Sequence, residues 1–105
     1  MKKGTETKDK ILELIRANRD RIEAYGVRKV GLFGSFVRND QNLESDIDLL
    51  VEFEQDKKTF DNFINLNFYL EELLKRPVEL ITTDALSPYI GPHILKEVEY
   101  VIFSP

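Results

Sequence analysis

No cysteine occurs among the 105 residues. This excludes a disulfide framework, thiolate catalysis and a zinc–thiolate site, and it fits a reducing compartment. A long apolar run is also missing. The first ten residues are basic with no hydrophobic segment behind them, so no secretory leader is expected. No stretch approaches the ~20 apolar residues that cross a bilayer. Together these absences predict a cytoplasmic protein with no membrane association. Repeats and low-complexity tracts are lacking too, and the length predicts one domain over residues 1–105 with a single core.

Positive charge is scarce outside the N-terminal third. The net charge is −4: residues 1–30 hold nine Lys/Arg against five Asp/Glu, and residues 31–105 hold six against fourteen. Generic nucleic-acid binding is therefore not expected, because it takes cations to neutralise the phosphates. Clustered carboxylates instead attract divalent metals. The basic first segment reads as a solvated helix face.

Apolar spacing at Ile11, Leu12, Ile15 and Ile22 predicts a helix over about 7–25, capped by Thr5 or Thr7 and closed by Gly26. Residues 29–33 have the length and apolarity of a strand, and 35–38 suit a brief helical turn. From Asp46 to Phe53 the pattern alternates: Ile47, Leu49, Val51 and Phe53 share one face, Asp46, Asp48, Leu50 and Glu52 the other. A helix over about 59–75, with Phe60, Phe63, Ile64, Leu70, Leu73 and Leu74 as its apolar face, ends before Pro77. Residues 78–81 give a third strand. A last helix starts at Ser87-Pro88 or Gly91-Pro92, and apolar spacing through Ile94, Leu95, Val98 and Val101-Ile102 carries it to the end. The expected fold is α/β (α+β): a small three-stranded mixed sheet flanked by about four helices.

Asp46 and Asp48, two apart on a strand, project to one face roughly 6.5 Å apart. They can share a divalent cation, but on their own they equally suit an acidic, solvated strand face. Upstream, Gly34-Ser35 ends a strand: glycine lets a backbone N–H approach a phosphate, and serine adds a hydroxyl. Such pairs also fill ordinary turns, so the information lies in the order and spacing of the two motifs. Glu79 is the acidic member of a strand otherwise made of Val78, Leu80 and Ile81, where partial desolvation would raise its pKa. An edge-strand residue facing water is the alternative. His93, the single histidine, reads as a surface or cap residue. Phe36, Tyr69 and Tyr89 read as core aromatics rather than base-stacking ones, and Glu52 as solvent-exposed.

The run Gly34-Ser35-Phe36-Val37-Arg38, a polar interval, then Ser45-Asp46-Ile47-Asp48-Leu49-Leu50-Val51 resembles the signature of the DNA polymerase beta-like nucleotidyltransferase superfamily. More narrowly it resembles the minimal nucleotidyltransferases (MNT), and the likeness runs along nearly the whole chain. The resemblance implies a polymerase beta palm-like fold. It implies that Gly34 and Ser35 contact phosphate, with Arg38 either on the triphosphate or bracing the Asp40/Glu44 loop. It also implies that Asp46, Asp48 and Glu79 bind Mg²⁺, as a pair of ions, with ATP as donor. Many relatives carry Asp where Glu79 stands, and glycine where Asn39 stands; asparagine tolerates the positive φ of such a turn. The implied activity is transfer of AMP to a hydroxyl, in particular a tyrosine of a helical HEPN toxin that this chain neutralises as its antitoxin. A non-catalytic module that occludes its partner, or transfer to a small molecule or RNA end, are the rival readings.

Overall fold

The computed structural model describes residues 7–103. Thr5, one of the two candidate caps, lies outside them. The elements run α1 (Lys8–Ala17), α2 (Arg19–Glu23), β1 (Val27–Phe33), α3 (Ser35–Arg38), β2 (Ile47–Phe53), α4 (Phe60–Leu74), β3 (Val78–Thr82), a 3₁₀ turn (Thr83–Ala85), α5 (Gly91–Glu97) and β4 (Glu99–Ile102). Thr7 caps α1 by accepting from the Lys10 N–H at 3.2 Å, and Thr59 caps α4 by accepting from the Asn62 N–H at 3.1 Å. Gly26 and Asn39 take the positive φ expected of them, 89° and 64°.

The first helix is two helices. Asn18 breaks it with φ −115° and ψ 25°, and its side-chain amide donates to the Leu14 carbonyl at 2.9 Å. Asparagine competes in this way for backbone partners inside a helix.

The sheet has four strands where three were expected, in the order β3-β2-β1-β4. β1 pairs antiparallel with both β2 and β4, and β2 pairs parallel with β3 across the α4 crossover. The fourth strand corrects the expectation of a helix to the end of the chain. Val98 is extended, at φ −65° and ψ 139°, and Glu99-Tyr100-Val101-Ile102 is rich in residues that favour a pleated surface. Pairing there also covers what would be an open edge of β1.

Both faces of the sheet are covered. Ile47, Leu49, Val51 and Phe53 enter the main core with Ile11, Ile15, Ile22, Leu66, Leu70 and Leu74. On the opposite face Leu50 and Phe33 pack with Ile94 of α5 in a smaller cluster, so the acidic face is apolar in its middle. α4 turns Leu70, Leu74, Phe63 and Leu73 to the core as expected, adds Leu66, and leaves Phe60 76% exposed. Among the described residues no helix is long and apolar enough to cross a membrane.

Candidate active site

The strand register builds the site. Phe33 of β1 lies opposite Asp48 of β2, and Asp48 opposite Glu79 of β3, in one row across the sheet. Directly after Phe33 the chain turns at Gly34, with φ 83° and ψ −152°, a conformation that L side chains rarely adopt. A side chain there would also crowd Asp48. A Cβ on Gly34 would overlap the Asp48 carboxylate and stand 3.0 Å from its Cγ.

Asp48 is half-buried, and burial pushes its pKa up, to about 6. Repulsion from Glu79 and then Asp46 adds to this, a hydrogen bond with Glu79 contributes, and Arg38 opposes it. Glu79 itself is exposed, so the desolvation expected at Glu79 falls on Asp48 instead. The reason is strand order: β3 is an edge strand, whereas β2 is flanked on both sides. Asp46 precedes β2 and is exposed; it reaches Asp48 through charge alone.

Among the described residues no group of three carboxylates forms a ready metal cage. The donor set still fits a hard divalent cation. Asp48 and Glu79 offer facing carboxylate oxygens with Asp46 nearby, and a cation would relieve the repulsion that raises Asp48.

Asp48 and Glu79 border a cavity of about 530 Å³, within the usual range for small-molecule sites. Gly34, Arg38, Asp48, Glu79, His93 and Glu97 form its polar side, and Phe33, Ile81, Leu86, Ile90 and Ile94 its apolar side. Of the sequence-predicted residues, Gly34, Arg38, Asp48 and Glu79 come together on the wall. Ser35, half-buried at the start of α3, and Asp46 lie off it.

Residues 11–101 match the family model of the nucleotidyltransferase domain. This chain belongs to the nucleotidyltransferase family. It is 38% identical over 96 residues to the protein adenylyltransferase MntA of Thermococcus cleftensis, covering 90% of this chain and 96% of that one. A provisionally assigned minimal nucleotidyltransferase of solved structure shares 33% identity at a TM-score of 0.68, covering 84% of this chain and 93% of that one. A chain in the complex of a tri-AMPylated Shewanella oneidensis HEPN toxin with an MNT antitoxin has the same fold. There the TM-score is 0.56 at 21% identity, covering 92% of this chain and 69% of that one.

In this nucleotidyltransferase, Arg38 neither points freely into the cavity nor only braces its own loop. Its Nη1 donates to Glu97 Oε1 at 3.2 Å and Oε2 at 3.3 Å, and its Nε donates to Asp40 Oδ2 at 3.5 Å. These partners, Glu97 foremost, hold the guanidinium above its ordinary pKa. Sequence reasoning missed Glu97. The signal was there: Ile90, His93, Ile94 and Glu97 fall at i, i+3, i+4 and i+7 and line the cavity together.

Sequence reasoning also missed Arg76, which is 8% exposed beside Pro77. Its Nη1 donates to the carbonyls of Ser45 at 3.0 Å, Leu43 at 3.1 Å and Asn42 at 3.4 Å. Its guanidinium lies 5.2 Å from the centre of the buried Phe36 ring. Arg76 thus ties α3 to the loop that delivers Asp46. His93 is exposed, as expected, but at the cavity wall. Phe36 and Tyr69 pack as expected, Tyr69 against Tyr25 at 5.8 Å. Tyr89, expected in the core, is 87% exposed, because the chain turns outward between Ser87 and Gly91. Glu52, expected in solvent, pairs with Lys29 at 3.6 Å and Arg28 at 3.8 Å on β1.

Proposed function

We propose that this nucleotidyltransferase transfers AMP from ATP to a protein hydroxyl, and that the acceptor is a tyrosine of a helical HEPN-type partner which it restrains as an antitoxin. The observation that carries the reading is the meeting of two kinds of group on the wall of one cavity. Anion donors at Gly34 and Arg38 stand beside the Asp48–Glu79 carboxylates. Triphosphate chemistry asks for both, because phosphoryl oxygens need hydrogen-bond donors and a metal site needs carboxylates.

The Gly34 N–H and the Arg38 guanidinium would hold phosphate oxygens, with the Ser35 hydroxyl adjacent, while the apolar wall of Ile81, Leu86, Ile90 and Ile94 takes the nucleoside. Mg²⁺ held by Asp46, Asp48 and Glu79, as a pair of ions in full occupancy, would neutralise charge at the α-phosphate. Glu79, exposed at the cavity mouth, takes the proton of the acceptor hydroxyl as the new O–P bond forms and the bond to pyrophosphate breaks.

In this reading the partner supplies the acceptor surface. Support for the partner comes from the MntA relative, a protein adenylyltransferase, and from the fold shared with the complex containing an AMPylated HEPN toxin. The test is to incubate the chain and a HEPN-type partner with Mg²⁺ and ATP, then weigh the partner. A mass increment of AMP is expected, and Asp46→Asn with Asp48→Asn should abolish it while the fold persists. Neutralisation of the partner with no added mass would favour the binding-module reading. Label appearing instead on RNA or a small molecule would move the acceptor.

A further inference from the structure

The anion position of Gly34 and Arg38 is already taken by a carboxylate of the same chain. Glu97 Oε2 accepts the Gly34 N–H at 2.7 Å, and Arg38 Nη1 reaches both oxygens at 3.2 and 3.3 Å. A carboxylate and a phosphate present paired anionic oxygens to the same donors. The backbone N–H has one proton, so Glu97 and a phosphate oxygen cannot both accept it.

The contact is held from behind. The Glu97 side chain is 23% exposed against 54% for Arg38. It ends α5, whose Ile94 is packed with Phe33 and Leu50. The charge balance points the same way. Glu97, Asp48 and Glu79 all line the cavity, and Arg38 is the one Arg or Lys on its wall among the described residues. An incoming triphosphate therefore meets three carboxylates and a cation already engaged.

We infer that Glu97 is an internal competitor for the nucleotide's phosphates: it holds the Gly34–Arg38 anion position and must yield it to a triphosphate. The inference rests on reading this cavity as the nucleotide site. The opposing possibility is that Glu97 braces Arg38 in the posture a substrate needs. The two make opposite predictions.

Calorimetric titration of the full chain with α,β-methylene-ATP and Mg²⁺, and separately with adenosine, decides between them. Wild type is compared with Glu97→Gln, which keeps the shape, and Glu97→Ala, which removes the reach; thermal melts confirm that each variant folds. The expected result is a triphosphate Kd lower by about three- to tenfold in both variants, with adenosine binding unchanged. An unchanged or higher triphosphate Kd overturns the inference while leaving the nucleotide site standing. Equal tightening for adenosine also overturns it, since the effect would not then concern phosphate. If no form of the chain binds the triphosphate, the reading of the cavity fails and the competitor role with it.

Discussion

The Asp48 carboxylate fills the space that a side chain at Gly34 would need. The glycine turn and the acidic strand are therefore one construction, since β1 can end where it does only if its next residue has no Cβ. This closeness also puts the Gly34 N–H and the Asp48 carboxylate on the same cavity wall.

Gly34→Ala should be damaging for two reasons, positive φ and overlap with Asp48. A destabilisation of about 1–3 kcal/mol is expected, read as a Tm lower by roughly 10 °C, with loss of AMP transfer. A variant that melts like wild type would contradict the close packing.

The raised pKa of Asp48 has a definite sign in stability. Its folded value of about 6 exceeds the ordinary 3.8, so the folded chain holds the proton more tightly than the unfolded one. The favourable contribution is fully present below pH 3.8 and is lost as pH rises through 6. With chelator present, Asp48→Asn should remove this loss. It should be more stable than wild type at pH 7.5 by about 1 kcal/mol, a figure discounted for solvent screening of a half-exposed carboxylate. Urea melts of both proteins across pH 4–8 check it. Added Mg²⁺ should stabilise wild type and narrow the gap, and a gap that ignores Mg²⁺ would remove the metal from the site.

Glu79 separates chemistry from stability. It is exposed on an edge strand, so Glu79→Gln should change stability by no more than about 0.5 kcal/mol. Transfer should fall by about 100-fold if it binds metal or takes the acceptor's proton. Full activity in that variant would place Glu79 outside the reaction.

Arg76 should act at a distance through Asp46. Arg76→Met breaks the bonds to three loop carbonyls and should cost about 2–3 kcal/mol. A kcat lower by roughly tenfold with little change in KM for ATP is expected, because the loop delivers a carboxylate rather than binding the nucleotide. Arg76→Lys should not rescue it, since an ammonium lacks the planar fork and the stacking on Phe36. Denaturant melts and label transfer from α-labelled ATP measure both effects.

Features that depend on a few neighbouring residues were legible in the sequence. Thr7 caps its helix, Gly26 and Asn39 turn left-handed, and the Asp46–Phe53 alternation sorts one face into the core, each as its local pattern dictates. The break at Asn18 and the strand at Glu99–Ile102 were not legible, because helical spacing of apolar residues continues through both. A side-chain bond decides the first and pairing with β1 the second.

The sequence by itself determined the residue chemistry: which groups can hold phosphate or metal, and the spacing of Gly34-Ser35 and Asp46/Asp48 that marks the family. Only the tertiary structure decided which carboxylate is desolvated and which donors are occupied. Strand order leaves Glu79 at the edge and buries part of Asp48. Chain folding brings Glu97 onto the N–H of a residue 63 positions away. Burial and pairing depend on what the fold brings close, and no local pattern carries that information.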